Sequence, residues 1–170
     1  MQEYQHISHE FGPVYDENSE ILILGSFPSV KSREMQFYYG HPQNRFWKVL
    51  ANILNTELPV SIEEKKELLL ENHIALWDVI ESCSIIGSSD TSIKDVVVND
   101  FSRILAESKV KRIYVNGTKA YELYHRYAEK QTGIKAVKLP STSPANAAWR
   151  VERLCEAWKE KILETEEEEK

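Results

Sequence analysis

Residues 21–47 read ILILGSFPSVKSREMQFYYGHPQNRFW, and this stretch decides the fold. Ile21–Leu24 is an apolar run of strand length, too short for an ordinary helix. Gly25-Ser26-Phe27-Pro28-Ser29 then turns the backbone. A mostly polar loop follows, carrying Phe37, Tyr38 and Tyr39 and then His41-Pro42-Gln43-Asn44. Arg45-Phe46-Trp47 leads into a helix, because apolar residues recur at Phe46, Trp47, Val49, Leu50, Ile53 and Leu54. Aromatics, an amide and an imidazole just past a buried strand point to a pocket, since open α/β sheets bind ligands at the carboxyl ends of their strands.

Working outward, Glu20–Gly25 is the first strand and residues 1–20 are a polar lead-in. Ser61 with Glu64 three residues on forms a capping box that starts a helix running to about Asn72. Ile74–Trp77 is a second strand, residues 84–95 are a polar loop, and Asn99–Ser108 is helical. Arg112–Val115 is a third strand that runs into Asn116-Gly117-Thr118 and a helix from Lys119 to about Glu129. Lys135–Leu139 is a fourth strand, ending in Pro140-Ser141-Thr142-Ser143-Pro144-Ala145-Asn146. A last helix carries Val151, Leu154, Ala157, Trp158 and Ile162 at helical spacing. Strands alternating with helices imply an α/β domain whose parallel sheet is covered on both faces through right-handed crossovers. The loops after the four strands then meet on one rim.

The chain has 170 residues, enough for one core, and its domain is expected over residues 1–163 with an acidic tail at 164–170. That tail holds five Glu and one Lys, so it accounts for −4 of the net charge of −6 and leaves the body near neutral. A near-neutral body permits a local basic patch for nucleic acid without requiring one. No apolar run is long enough to cross a bilayer and the N-terminus has no signal-peptide pattern, so a cytoplasmic monomer is expected. Cys83 and Cys155 are far apart and offer neither a disulfide framework nor a thiolate metal site. His6 and His9 have no third ligand at a recognisable spacing, so no metal is expected. An α/β hydrolase acting on small esters is not expected, because the sequence lacks its GxSxG nucleophile turn.

Gly25-Ser26-Phe27-Pro28-Ser29, Tyr39-Gly40-His41-Pro42-Gln43-Asn44-Arg45-Phe46-Trp47, Asn116-Gly117-Thr118-Lys119-Ala120-Tyr121 and Leu139-Pro140-Ser141-Thr142-Ser143-Pro144 resemble, in order and spacing, the uracil-DNA glycosylase superfamily. The similarity is greatest to its hypoxanthine-DNA (deoxyinosine) glycosylase branch, which is related to the mismatch-specific enzymes. The resemblance implies a three-layer α/β/α sandwich with a central four-stranded parallel sheet. It also implies a cofactor-free hydrolysis of the N-glycosidic bond of a deaminated base in DNA, hypoxanthine and by extension uracil. Other branches carry an Asp or Asn in the first motif to handle the attacking water; here Phe27 stands there and can neither accept nor donate. In the hypoxanthine branch the catalytic amide comes from further on, and Asn44 is the matching position.

Phe37 and Tyr39 could give a flipped purine an aromatic face, and Tyr39 matches the family's stacking position; a plain hydrophobic plug is the alternative. Asn44 could equally be the N-cap of the helix that follows it. Asp78, closing the second strand where the family reads the base edge, could accept from N1–H of hypoxanthine, donate to its O6 if protonated, or serve only as a loop-start or helix-cap carboxylate. Ser141, Thr142 and Ser143 resemble a phosphate-gripping motif, with Pro144 and Asn146 in the wedge that fills the vacated duplex. Arg150, one turn into the last helix, and Lys31 and Arg33 could add phosphate charge. A purely structural reading makes Ser143 the cap of the last helix and Pro144 its first residue. Two functions therefore stand: a monofunctional glycosylase, or a nucleic-acid or nucleotide binding module that keeps the fold without the chemistry.

Overall fold

The computed structural model describes residues 3–168, with side chains through Leu163. In chain order the elements are β1 (Gln5–Ser8), β2 (Ile21–Gly25), α1 (Val30–Met35), α2 (Phe46–Ile53), α3 (Ile62–Glu71), β3 (Ile74–Asp78) and β4 (Ile80–Ile85). After a 3₁₀ turn (Asp90–Ser92) come β5 (Lys94–Val98), α4 (Ser102–Glu107), β6 (Arg112–Asn116) and α5 (Thr118–Leu123). A π-helical segment (Tyr124–Ala128) continues into α6 (Glu129–Thr132), followed by β7 (Ala136–Leu139) and α7 (Val151–Glu168).

Four of the strands form the expected parallel sheet, in the order β3-β2-β6-β7. Ile21 lies opposite Ile74 on one side and Arg112 on the other, so β2 is flanked on both edges. All five residues of β2 are buried, which is why its sequence is a continuous apolar run rather than an alternating one. Ile21 and Ile23 enter one core with Phe46, Leu50, Leu69 and Trp158, under α2, α3 and α7. Leu22 and Leu24 enter the other with Phe101, Ile104, Ile113 and Leu123, under α4 and α5. Ser61 caps α3, accepting from the Glu64 amide at 3.0 Å, as its spacing requires.

A second sheet departs from the sequence expectation. β1, β4 and β5 form a three-stranded antiparallel sheet, so the polar lead-in contains a strand and the segment read as a loop after Trp77 turns directly from β3 into β4. Val14 also bridges Leu76 at the edge of β3. These strands are short and polar: only Ile7 in β1 is aliphatic, and β4 and β5 pair through register shifts. The loop after Ser29 also contains a helix, α1, capped by Ser29 Oγ accepting from the Ser32 amide. Finally, α7 begins at Val151 rather than Pro144, so Ser143 does not cap it and Arg150 precedes it. The expected acidic tail begins within α7, whose backbone continues to Glu168; residues 169–170 lie outside the described residues. No helix among the described residues is long and apolar enough to cross a membrane.

Candidate functional site

The carboxyl ends of β2, β3, β6 and β7 open into a cleft of about 330 Å³ whose lining includes Gly25, Phe27, Tyr39, Asn44, Asp78 and Asn116. Asn44 precedes α2, and its Oδ1 accepts from the Phe46 amide at 2.9 Å. It also accepts from Thr142 Oγ1 at 2.9 Å, across from the loop after β7. A backbone N–H can only donate, so Oδ1 is identified by its partner, and both lone pairs are taken. The amide nitrogen Nδ2 takes no part in these bonds and is the half left for a ligand. Arg45, not Asn44, is the N-cap of α2, yet the Asn44 oxygen still satisfies an amide of its first turn, and the nitrogen is left for chemistry.

Thr142 is fully buried and joins the loops to each other. Its Oγ1 accepts from Asn116 Nδ2 at 3.0 Å and its amide donates to Asn116 Oδ1 at 3.1 Å. Arg45 fastens the same loop. Its guanidinium donates to the carbonyls of Thr142 (3.2 Å), Ser143 (2.6 Å), Asn146 (3.2 Å) and Trp149, and its amide donates to Thr142 O at 3.1 Å. Charge-assisted bonds of this kind are about twice as strong as neutral ones. At the end of β6, Gly117 adopts φ +96 and packs so closely that a Cβ would lie 3.1 Å from Ser141 Cβ. A glycine there satisfies both the left-handed backbone and the close approach.

On the floor, Asp78 and Gly25 lie opposite each other in register. Asp78 Oδ2 accepts from His9 Nε2 at 2.8 Å, with the two side chains 5% and 2% exposed. A Cβ on Gly25 would lie 2.5 Å from Asp78 Oδ1 and 2.8 Å from Tyr39 Oη, so the bare glycine lets the two converge. Tyr39 holds φ 52, a left-handed conformation that costs a non-glycine residue about 1–2 kcal/mol. Its ring lies on Phe46 at 4.1 Å and 18°, so one face is taken. Burial, and then the Asp78 charge, push its phenol well up, partly offset by the Asn116 amide nearby. Its hydroxyl is buried and makes no hydrogen bond of good geometry.

The other expected residues are distributed unevenly. Phe27 lines the cleft with 9% exposure. Phe37 does not reach it; it stacks on Trp47 at 6.1 Å in the core below, because α1 turns it inward. Thr142 also lines the cleft but is fully buried, too deep to touch a phosphate, whereas Ser141 and Ser143 are half-buried in its wall and Pro144 projects at its lip. The hydroxyls of Ser141 and Ser143 accept from the amides two residues on, at 3.1 and 3.2 Å, so they are acceptors already used and donors still available. Asn146 binds back to Ser141 O at 3.0 Å. Arg150 is exposed and lines neither this cleft nor the next.

Asp90, in the 3₁₀ turn, was not expected at the site. It accepts from Ser26 Oγ at 3.1 Å and lines the cleft. Crowding by the surrounding protein pushes its carboxyl up, partly offset by the Ser26 hydroxyl and the Lys119 charge. Nothing in the polar run Ser88-Ser89-Asp90-Thr91-Ser92 distinguishes it, and Arg45 had only its place in the motif. A second cleft, of about 840 Å³, adjoins the first and shares Asn116 and Ser141 with it. Lys119, Lys138 and Lys161 line it, together with Tyr121 and Trp149. Among the described residues no three His, Cys, Asp or Glu side chains converge as metal ligands.

The sequence pattern of the Uracil DNA glycosylase superfamily matches residues 13–164. The chain is 41% identical over 142 residues to the hypoxanthine DNA glycosylase of Methanosarcina acetivorans, covering 82% of this chain and 89% of the relative. It is 40% identical over 139 residues to that of Methanosarcina barkeri, covering 80% and 86%. A solution NMR structure of a Methanosarcina acetivorans protein, described as a candidate uracil DNA glycosylase, superposes with a TM-score of 0.75 at 40% identity, covering 88% of this chain and 92% of that one.

Proposed function

This chain belongs to the uracil DNA glycosylase superfamily, and from that premise we propose that its first cleft holds an everted hypoxanthine nucleotide with Asn44 as the catalytic residue. The protein is a DNA glycosylase that hydrolyses the N-glycosyl bond of a deaminated base. A base inside a duplex shields its sugar carbon, so the nucleotide must first leave the stack, at a few kcal/mol of lost stacking and pairing. Phe27 and Tyr39 wall the space that receives it, and Pro144 at the lip fills the gap left behind.

The C1′–N9 bond then breaks with its electron pair passing to the purine, and water adds to the sugar cation. The water's proton ends on the departing base or in solvent. Asn44 is neutral and cannot act as a strong base; its fixed Nδ2 donors hold the water oxygen or the developing negative charge of the base. The observation that carries this reading is the double pinning of Asn44 Oδ1 by the Phe46 amide and Thr142, which orients the other half of the amide. No lysine occupies the catalytic position, so no Schiff base forms and the abasic strand stays intact. Uracil, whose N3–H and O4 repeat the N1–H and O6 of hypoxanthine, is a further substrate in this proposal. The second cleft, with its three lysines, carries the flanking phosphates and so supplies the positive charge missing from the overall composition.

Incubation with a duplex carrying one deoxyinosine tests the proposal. Free hypoxanthine should appear, with strand cleavage only after alkali. No released base at any salt concentration would end it.

A further inference from the structure

The second cleft holds more than the charge that phosphates require. Tyr121 and Trp149 line it beside the lysines, and both rings are half-buried. His125 lies parallel to Tyr121, with ring centroids 6.1 Å apart and planes at 3°. The Arg153 guanidinium sits over Trp149, 3.7 Å from the ring centroid. Neither His125 nor Arg153 lines the cleft, so each backs its ring on the side away from the opening. Lys138, which does line it, places its ammonium 5.9 Å from the centre of Tyr121. Neither the Tyr121 hydroxyl nor the Trp149 indole N–H meets a partner among the described residues, and neither is sealed from water. Lysines alone serve a phosphate. Two rings with unspent polar tips suit a base, which offers a face to stack and an edge to hydrogen-bond.

Both rings are fastened to the wall between the clefts. The Arg45 guanidinium that holds the Thr142 and Ser143 carbonyls also donates to the Trp149 carbonyl. Tyr121 stands in the first turn of α5, its amide donating to Gly117 O at 3.1 Å, just past the shared Asn116. An occupant of the second cleft is therefore the next part of whatever strand enters the first. We propose that the second cleft is a stacking subsite for the unpaired base next to the everted nucleotide on the same strand, a contact made with single-stranded or locally melted DNA and not with an intact duplex. Inside a duplex that base has both faces covered by its neighbours and its edge paired, so only its phosphates reach the lysines. Once unpaired, it has a face for Tyr121 or Trp149, and such stacking strengthens binding about 5- to 100-fold. This rests on the reading that the first cleft holds the everted nucleotide.

The test titrates the full chain against single-stranded oligonucleotides carrying one deoxyinosine, with the nucleotide on either side of it replaced in turn by an abasic tetrahydrofuran. Loss of the base on one side should weaken binding of the single strand about 5- to 100-fold; loss on the other side should matter less. The double variant Tyr121→Ala with Trp149→Ala should weaken binding of the intact single strand by a similar factor and abolish its sensitivity to the missing base, as two halves of one contact must. Indole fluorescence should fall when the single strand binds wild type, and fall less in Trp149→Phe. If neither missing base changes the affinity of wild type, the cleft holds phosphates only and the proposal is overturned, whether or not the variants fold. A double variant that stays as sensitive as wild type overturns it too, since the base then lies elsewhere. Hypoxanthine release from the intact strand, followed in the same reactions, separates the two failures. Release that ignores the neighbouring base strikes the stacking subsite alone, whereas no release from single strand or duplex strikes the reading of the first cleft.

Discussion

The two clefts share a wall, Asp90, Asn116, Ser141, Ser143 and Ala145, and differ in what else lines them. The first is walled by aromatics and an amide, with a carboxylate on its floor, and its polar groups are fixed by hydrogen bonds that reach across the chain. The second is wider and lined by lysines on exposed or half-buried positions. Orientation matters where a bond is broken, because a misplacement of about 1 Å can lower a rate about 10²-fold. Long-range attraction needs only charge of the right sign near the phosphates, and flexible lysines supply it. The contrast suggests that bond breaking and DNA capture are set by separate residues.

Asn44→Ala attacks this division most strongly. It removes an oriented donor, so kcat should fall about 10²- to 10³-fold with KM little changed, and loss of the bonds that Oδ1 accepts from the Phe46 amide and Thr142 should cost about 1 kcal/mol of stability. Steady-state kinetics with thermal unfolding would check both, and a change confined to KM would break the division. Gly25→Ala is next. Its Cβ would press on Asp78 Oδ1 and Tyr39 Oη, and activity should fall about 10- to 100-fold through the displaced floor; an unchanged rate would show that the floor yields without consequence. The double change Lys119→Ala with Lys138→Ala addresses the second cleft. KM for DNA should rise and the slope of log affinity against log salt should shrink by about 2, near 0.9 for each phosphate no longer neutralised, while saturating single-turnover rates hold. Asp90→Asn, on the shared rim, should act least. Because the folded protein pushes this carboxyl up, its ionisation opposes folding above the ordinary aspartate range. The variant should therefore melt slightly higher at neutral pH, and that gain should fade as pH falls through that range.

How far the molecule could be read in advance follows the same physics. Ile21–Leu24, Ile74–Leu76 and Ile113–Val115 are buried on both faces, so their apolar runs announced a parallel sheet. Gln5–Ser8 and Ile80–Ile85 lie in a small sheet with polar outer positions, where Ile7, Ile80 and Cys83 are too sparse to mark a period of two. The loop harbouring Asn44 was legible from its aromatics and its place after a strand. By residue type Phe37 could not be told from Tyr39 in that loop, and only the family resemblance favoured Tyr39, since α1 decides which ring turns inward. His9 and Asp90 reach the site by pairing with residues 69 and 64 positions away, which no local pattern encodes.

Trp158, in the middle of α7, donates its indole N–H to Pro140 O at 2.9 Å. The turn that carries Ser141–Ala145 is thus held by a residue synthesised later than any part of the rim it supports. On a ribosome the sheet can form before that helix has emerged, but the cleft cannot take its final shape. The nascent protein would carry its fold before its activity.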